Sequence, residues 1–445
     1  MIHFCYFSFS TKTAMKKHLL FLSLATLTLT GFSQTEYVYP DAHFMVFSDP
    51  HYYDPSLGIS GTAFQEYLNS DRKLLRESRE LITIASSLIL DSDAEFVIIP
   101  GDLTKDGTLV SHTEFARLIG EIEKAGKQVY VVPGNHDINN GESRAFKGDE
   151  SEVVENVSPD KFLEIYREFG YGEAIQRDAN SLSYVAEPVD GLWLLGLDAC
   201  RYRENLTGHH PITDGIFSRE TLDWIENILV EAERGNKRVM VFMHHGVVEH
   251  YKGQEKAFGE YLVDDYKKVS KLLASHGVRT VFTGHYHAQD VAKATWKDDF
   301  IFDIETGSLV TYPCPLRDIR IHDQEMTISS RFITQTREHP EDFEAYSEEY
   351  VRSGIAGIAE KTLIAYHLNP KDAAKLSGQI GQAFVVHYKG DEQYPDQLLD
   401  MTGVGLFGRI IILFKKGLVK GLYTDIYPAD NNLVINLASG DCKEE

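Results

Sequence analysis

Two stretches decide the fold: Phe96-Val97-Ile98-Ile99-Pro100-Gly101-Asp102 and Val129-Tyr130-Val131-Val132-Pro133-Gly134-Asn135-His136-Asp137. In each, an apolar run of the buried-strand kind leads into a turn that carries metal-seeking side chains. Three further runs do the same. Phe44-Met45-Val46-Phe47 leads to Asp49-Pro50-His51, Val239-Met240-Val241-Phe242-Met243 to His244-His245, and the run 278–282 to Gly284-His285-Tyr286-His287. Between these runs, residues 74–90, 114–125, 219–233 and 264–276 place apolar side chains at three- and four-residue spacing, which predicts helices. Strands alternating with helices imply an α/β fold, in which ligands gather outside the carboxyl ends of the strands. All five polar clusters fall at that end.

The residue types then indicate the chemistry. Carboxylates mixed with imidazoles suit Mn, Fe or Zn, whereas Ca or Mg cages are built mostly from oxygen. Asp49 and His51 sit two apart, so on an extended stretch both point the same way toward one ion, and His285 and His287 repeat the spacing. Asp102 has two carboxylate oxygens with which to bridge two ions, while the Asn135 amide oxygen and a His244 imidazole add ligands for the second. Two ions about 3.5–4 Å apart activate water and hold the phosphoryl oxygens of an in-line displacement. His136 is left over as a proton donor. The set points to hydrolysis of phosphate esters.

The order Asp-x-His, Gly-Asp, Gly-Asn-His-Asp, His-His, Gly-His-x-His resembles the calcineurin-like metallophosphoesterase superfamily, over about residues 41–335. The resemblance implies a β-sandwich flanked by helices, with a dinuclear centre at the strand ends. It implies Asp49, His51, Asp102 and His287 on one ion and Asp102, Asn135, His244 and His285 on the other. A metal-bridging hydroxide would attack phosphorus, with His136 helping the leaving oxygen. The family's ligand directly follows the strand, which favours His244 and places His245 behind it. The family's second motif often reads Gly-Asp-x-x-Asp, but here Lys105 holds that last position and the acid is Asp106. This variant resembles the phosphodiesterase branch, where Asp106 would orient His136. Purple acid phosphatases carry a tyrosine ligand at the Lys105 position, so the tyrosinate-iron type is disfavoured. Gly246 stands where many relatives carry proline. The stretch 134–140 and Thr306-Gly307-Ser308-Leu309-Val310 resemble a bacterial subgroup of cyclic-nucleotide-type phosphodiesterases. The expected activity is hydrolysis of phosphodiesters, with 3′,5′-cyclic nucleotides first. A broad phosphomonoesterase and a metal-containing scaffold without turnover are the alternatives.

A chain of 445 residues exceeds one ordinary core. Its 43% hydrophobic and 25% charged residues describe a globular protein. The net charge of −23 becomes −26 without the first 33 residues, which hold Lys12, Lys16 and Lys17 and no acid. So acidic a body repels nucleic-acid phosphates, which favours a small phosphate ester over long DNA or RNA. Met15-Lys16-Lys17-His18, the apolar run 19–29 and small Gly31 and Ser33 predict a secretory signal over 1–33, cut ahead of Gln34, with 1–14 as an upstream mis-start. The expected location is periplasmic or secreted. The run is too short for a spanning helix, so no stable membrane insertion is expected. Cys200, Cys314 and Cys442 form no disulfide framework.

The predicted catalytic domain spans 34–335 and a helical C-terminal domain 336–445. In the latter, Phe343, Tyr346, Tyr350, Ile355 and Ile358 recur at helical spacing, and Asn369-Pro370 supplies an N-cap and a first-turn proline. The apolar run 406–414 reads as a packed core helix. His276 reads as a helix-end residue, His209-His210 as a solvated loop, His367 and His387 as helical, and Asp198 as a turn former.

Overall fold

The protein is described here by a computed structural model covering residues 38–444; the expected signal over 1–33 lies outside the described residues. In chain order the strands are β1 (Ala42–Val46), β2 (Phe96–Pro100), β3 (Gln128–Val132), β4 (Arg144–Lys147), β5 (Glu150–Val153), β6 (Gln176–Arg177), β7 (Tyr184–Val189) and β8 (Leu192–Leu197). They continue as β9 (Arg238–Met243), β10 (Thr280–Thr283), β11 (Asp290–Trp296), β12 (Asp299–Glu305), β13 (Pro315–His322), β14 (Glu325–Phe332), β15 (Asn432–Asn436) and β16 (Cys442–Glu444). The α-helices are α1 (Thr62–Asn69), α2 (Ser78–Leu90), α3 (Leu109–Lys124), α4 (Pro159–Ile165), α5 (Arg219–Arg234), α6 (Gln254–Phe258), α7 (Tyr266–Ser275), α8 (Phe343–Ala365), α9 (Pro370–Lys389) and α10 (Leu406–Gly421).

Two seven-stranded sheets carry the fold, in the orders β16-β15-β14-β13-β1-β2-β3 and β11-β12-β10-β9-β8-β7-β6. The strands that lead into the polar clusters lie in two parallel blocks: β1, β2 and β3 run parallel to one another in the first sheet, and β9 and β10 run parallel to one another and to β8 in the second. Parallel neighbours need crossovers, and α2, α3, α5 and α7 supply them. The sheets face each other across one apolar core. Phe44 stacks on Phe96 at 4.7 Å within the first sheet and meets Phe282 of the second edge-on at 5.4 Å. Outside, Leu81, Ile82, Phe115 and Ile119 of α2 and α3 cover the first sheet, and Ile225, Leu229, Val269 and Leu273 of α5 and α7 the second. The result is the expected helix-flanked sandwich.

Two helix starts differ from the periodicity. Residues 70–77 form a turn ahead of α2, and α3 begins earlier than expected because the Thr108 hydroxyl accepts the Ser111 N–H as an N-cap. The expected helices after residue 335 are present. α8 and α9 form a hairpin, with the Asn369 side chain accepting from Asp372 N at the start of α9. Val351, Ile355, Ala383, Tyr388 and Val419 from these helices and α10, with Leu422 just after α10, pack with Tyr286 of the sandwich. The chain then returns as β15 and β16, which extend the first sheet beyond β14 and bury Leu433 and Ile435 in its core. The apolar run at 406–414 is only half packed. Ile412 is buried, but Leu406 is 78% exposed and Leu413 72%. Among the described residues no helix is long and apolar enough to cross a membrane.

Candidate functional site

The turns after five strands converge at one end of the sandwich. Asp49 and His51 follow β1, Asp102 follows β2, Asn135 and His136 follow β3, His244 follows β9, and His285 and His287 follow β10. All are buried except His136, whose side chain is 17% exposed. Asp49, His51 and His287 form one group in which the potential ligand atoms lie within 4.8 Å of one another, and Asp102, His244 and His285 form another. The His51 and His287 Nε2 atoms are 3.1 Å apart, and His287 Nε2 lies 3.4 Å from Asp49 Oδ1. His244 Nε2 lies 3.3 Å from Asp102 Oδ2 and 3.2 Å from Asn135 Oδ1. Ligand atoms about 2.0–2.2 Å from a shared ion sit about 3–3.5 Å from each other, so these separations fit a common metal in each group. The same Asp102 Oδ2 is 3.5 Å from His51 Nε2, and so stands between the two groups.

The backbone explains how the turns aim these side chains. Asp49, His51, Asp102, His285 and His287 all have positive φ, between 36° and 76°. Such conformations are sparsely populated by residues with a Cβ and recur at functional sites. The two-residue spacing therefore works through left-handed turns after the strands, not through the alternation of an extended strand. Close approach requires two of the glycines. A Cβ on Gly134 would lie 2.1 Å from Asp102 Oδ1, and one on Gly284 2.2 Å from Asp49 Oδ2. Asp137 stitches two of the turns together by accepting from Leu103 N, Thr104 N and Gly134 N at 2.8–3.0 Å.

Hydrogen bonds also select the free imidazole nitrogens. His244 donates from Nδ1 to the Pro100 carbonyl at 3.0 Å, which leaves its Nε2 lone pair facing Asp102 and Asn135. His285 donates from Nε2 to the Thr213 carbonyl at 3.1 Å, which leaves Nδ1. His245 donates to the same carbonyl at 2.9 Å and stands beside the second group. Burial lowers the His51 and His285 pKa values and brings His287 down to about 4, so their lone pairs are available near neutrality. At His244 burial acts in the same direction, but Asp102 outweighs it and raises the pKa to about 9. An ion bound there would have to displace a proton.

His136 lies at the rim of the site, its ring edge-on to His51 at 5.1 Å and its backbone N–H donating to Asp102 Oδ1 at 2.9 Å. Its Nδ1 is 3.8 Å from Asp106 Oδ1, ion-pair range but beyond a hydrogen bond. Asp106 is held by Lys105 at 3.0 Å and by the Tyr67 hydroxyl. Burial disfavours the Asp106 carboxylate, yet Lys105 and His136 keep its pKa below the usual range. The sequence reading missed Arg72 and Lys73, which lie in the turn ahead of α2. Lys73 is buried 3.7 Å from Asp71, and burial lowers its pKa to about 8 against the pull of that acid. Arg72 donates from Nε to the Tyr388 hydroxyl at 3.0 Å. The charge run Asp71-Arg72-Lys73, set directly before an apolar helical pattern, was the available signal.

The remaining polar residues serve elsewhere. Asp198 accepts from Leu182 N, Cys200 N and the Tyr202 hydroxyl, and so organises a turn. His276, at the end of α7, pairs with Glu233 at 2.7 Å, and exposed His210 pairs with Glu142. His387 of α9 is buried against Glu392 and, with Asp290, brings a third set of potential ligand atoms within 4.8 Å of one another. Cys200, Cys314 and Cys442 are free thiols.

The chain is 20% identical over 207 residues to a protein of Coxiella burnetii named as a probable cyclic nucleotide phosphodiesterase; the match spans 46% of this chain and 65% of that relative. Among solved structures it is similar to a dimetal phosphatase from Danio rerio, with a TM-score of 0.47, 18% identity and coverage of 66% of this chain and 96% of that one. It is also similar to a purple acid phosphatase from yellow lupin seeds, with a TM-score of 0.40, 11% identity and coverage of 66% and 52%. The profile of the calcineurin-like phosphoesterases matches residues 42–289. That span is more than half of the chain and contains all five polar turns, so the chain belongs to the calcineurin-like phosphoesterase family.

Proposed function

We propose that the protein is a dinuclear-metal phosphodiesterase in which Asp49, His51, Asp102 and His287 hold one divalent transition-metal ion and Asp102, Asn135, His244 and His285 the other. The observation that carries this reading is the position of Asp102 Oδ2, 3.5 Å from His51 Nε2 and 3.3 Å from His244 Nε2. One carboxylate thus serves both groups. When bound, Mn, Fe or Zn ions activate water and screen the phosphoryl oxygens. His136, at the rim, hands a proton to the departing oxygen, and Asp106 steadies its imidazolium from 3.8 Å. His245 supports the second group from behind. Lys73 and Arg72 add positive charge beside the first group, suited to an anionic substrate. The Asp106 variant of the second motif and the name of the Coxiella relative favour diesters over monoesters, and 3′,5′-cyclic nucleotides as the substrates to try first. We also propose that the segment 1–33 directs export.

The test is hydrolysis of bis(p-nitrophenyl) phosphate against p-nitrophenyl phosphate by metal-stripped protein resupplied with Mn²⁺. Manganese-dependent preference for the diester is expected, whereas preference for the monoester would replace this reading with the phosphatase one. Two bound ions with no turnover of either ester would indicate a scaffold. Asp102→Ala is expected to lose most of both ions, and full metal content in that variant would refute the bridging role.

A further inference from the structure

Helices α8, α9 and α10 and the segment around Phe258 line an open cavity of about 400 Å³, within the size range of small-molecule sites. Its walls are apolar, with Ile355, Leu363, Ile380, Phe384, Ile412 and Leu422 among them. The inner wall backs onto the candidate metal site. Tyr261 lies with its ring 4.6 Å from that of His285, Tyr388 faces His287 at 6.4 Å, and Tyr286 stands between those two histidines in the chain. Arg72 lines this wall and donates to Tyr388. The other charged residue of the lining, Lys415, is exposed, which puts it at the mouth.

The outer surface of α10 offers a second, independent observation. Leu406, Phe407, Ile410 and Leu413 are exposed in a row along it. Between and after them come Arg409, Lys415, Lys416 and Lys420, and the helix contains no acid, in a chain whose net charge is −23. Apolar side chains among cations suit a surface of anionic amphiphiles. A purely structural helix would be expected to turn these leucines inward.

We propose that the substrate is an amphiphilic phosphodiester, whose long alkyl or acyl chain lies in this cavity while its phosphate sits at the candidate metal groups, on the side of His287 and Arg72. This rests on the phosphodiesterase reading above and, within it, sets amphiphilic diesters ahead of the cyclic nucleotides. Water is added across one P–O bond, giving a phosphate monoester and an alcohol, and the chain in the cavity stays on one product. The helical region then acts as the recognition element of the enzyme, and the apolar run of α10 as the face that meets the aggregate from which the substrate is drawn.

The experiment compares the full-length, metal-loaded protein on dodecyl p-nitrophenyl phosphate and ethyl p-nitrophenyl phosphate, both below their aggregation concentrations. A kcat/KM ratio of at least about 50 is expected, which about three buried methylenes suffice to produce. Ala359→Trp, which fills the cavity from α8, should cut that ratio at least tenfold, and so should Thr362→Trp at an exposed position of the lining if the first variant folds poorly. A wild-type ratio near one, or a ratio that survives both substitutions, overturns the proposal. Calorimetric binding of dodecylphosphocholine against butylphosphocholine separates the two readings. If neither ester is hydrolysed while the dodecyl compound alone binds and Ala359→Trp weakens it tenfold, the phosphodiesterase reading fails and the chain-binding cavity stands. Equal or absent binding of both compounds rejects the cavity.

Discussion

Replacing Gly134 by alanine tests the geometry of the site through a single methyl group. The added carbon would stand 2.1 Å from Asp102 Oδ1, 2.2 Å from Asp102 N and 2.7 Å from its Cγ. Ordinary contact begins near 3.4 Å, so the carboxylate must retreat by about 1.3 Å and, because Asp102 N is equally close, the two turns must part as well. Neither movement is free. Asp102 accepts from His136 N, while Gly134 N donates to Asp137, which also holds Leu103 N and Thr104 N. Overpacking of this kind costs about 1–3 kcal/mol of stability, and misplacing a positioned group by about 1 Å costs on the order of 10²-fold in rate. Gly134→Ala should therefore remain folded but bind close to one ion or fewer, and lose about 10²-fold or more in manganese-dependent hydrolysis of bis(p-nitrophenyl) phosphate. Metal content by mass spectrometry and a thermal melt are measured alongside the rate. Gly357→Ala serves as control: this helical glycine has open space where a Cβ would go, and the change should raise stability by about 0.5–1 kcal/mol. Wild-type metal content together with wild-type turnover in Gly134→Ala would refute the placement of Asp102 between the ions.

Two further outcomes are expected. His136→Ala should keep both ions yet lose roughly 10²–10⁴ in kcat, and unchanged turnover would remove His136 from the mechanism. His112 is fully buried, donates to the Asp137 carbonyl and accepts from the Tyr166 hydroxyl. Burial lowers its pKa to about 4. Because the unfolded chain takes up this proton below about pH 6.5 and the folded one does not, the group's stabilising contribution is present above pH 6.5 and lost as pH falls toward 4. The wild type should lose about 3 kcal/mol more than His112→Gln between pH 7 and pH 4. Urea unfolding of both proteins across that range checks this, and parallel pH profiles would count against it.

The catalytic half was legible because its signals are local. A buried strand announces itself by four or five apolar residues, and the polar turn at its carboxyl end needs no partner to be recognised, which is why Phe96 through Asp102 could be read directly. The aim of those turns was less visible. Asp49 and His51 converge through positive φ, which depends on what packs behind them, including the space left by Gly284. Arg72 and Lys73 escaped notice because a charged pair before a helix usually meets solvent, and here Tyr388, far away in the chain, covers it. The same limit applies at the C-terminus. Leu433-Val434-Ile435 is too short to be assigned without β14 beside it, and the exposure of Leu406 and Leu413 depends on which side of α10 meets α9.

The return of the chain as β15 has a topological consequence. Three helices leave the first sheet after β14 and are brought back by β15, which hydrogen-bonds to that same β14 and carries β16 on its outer edge. They are thus an excursion anchored at both ends, not a tail. Helices fixed this way cannot swing clear on a single hinge, so a ligand entering the cavity between them has to use fixed openings or sideways slippage of helices. Cutting the gene near codon 335 would also strip β15 and β16 and bare the backbone of β14, so such a truncation should yield an aggregating sheet and not a trimmed, folded protein.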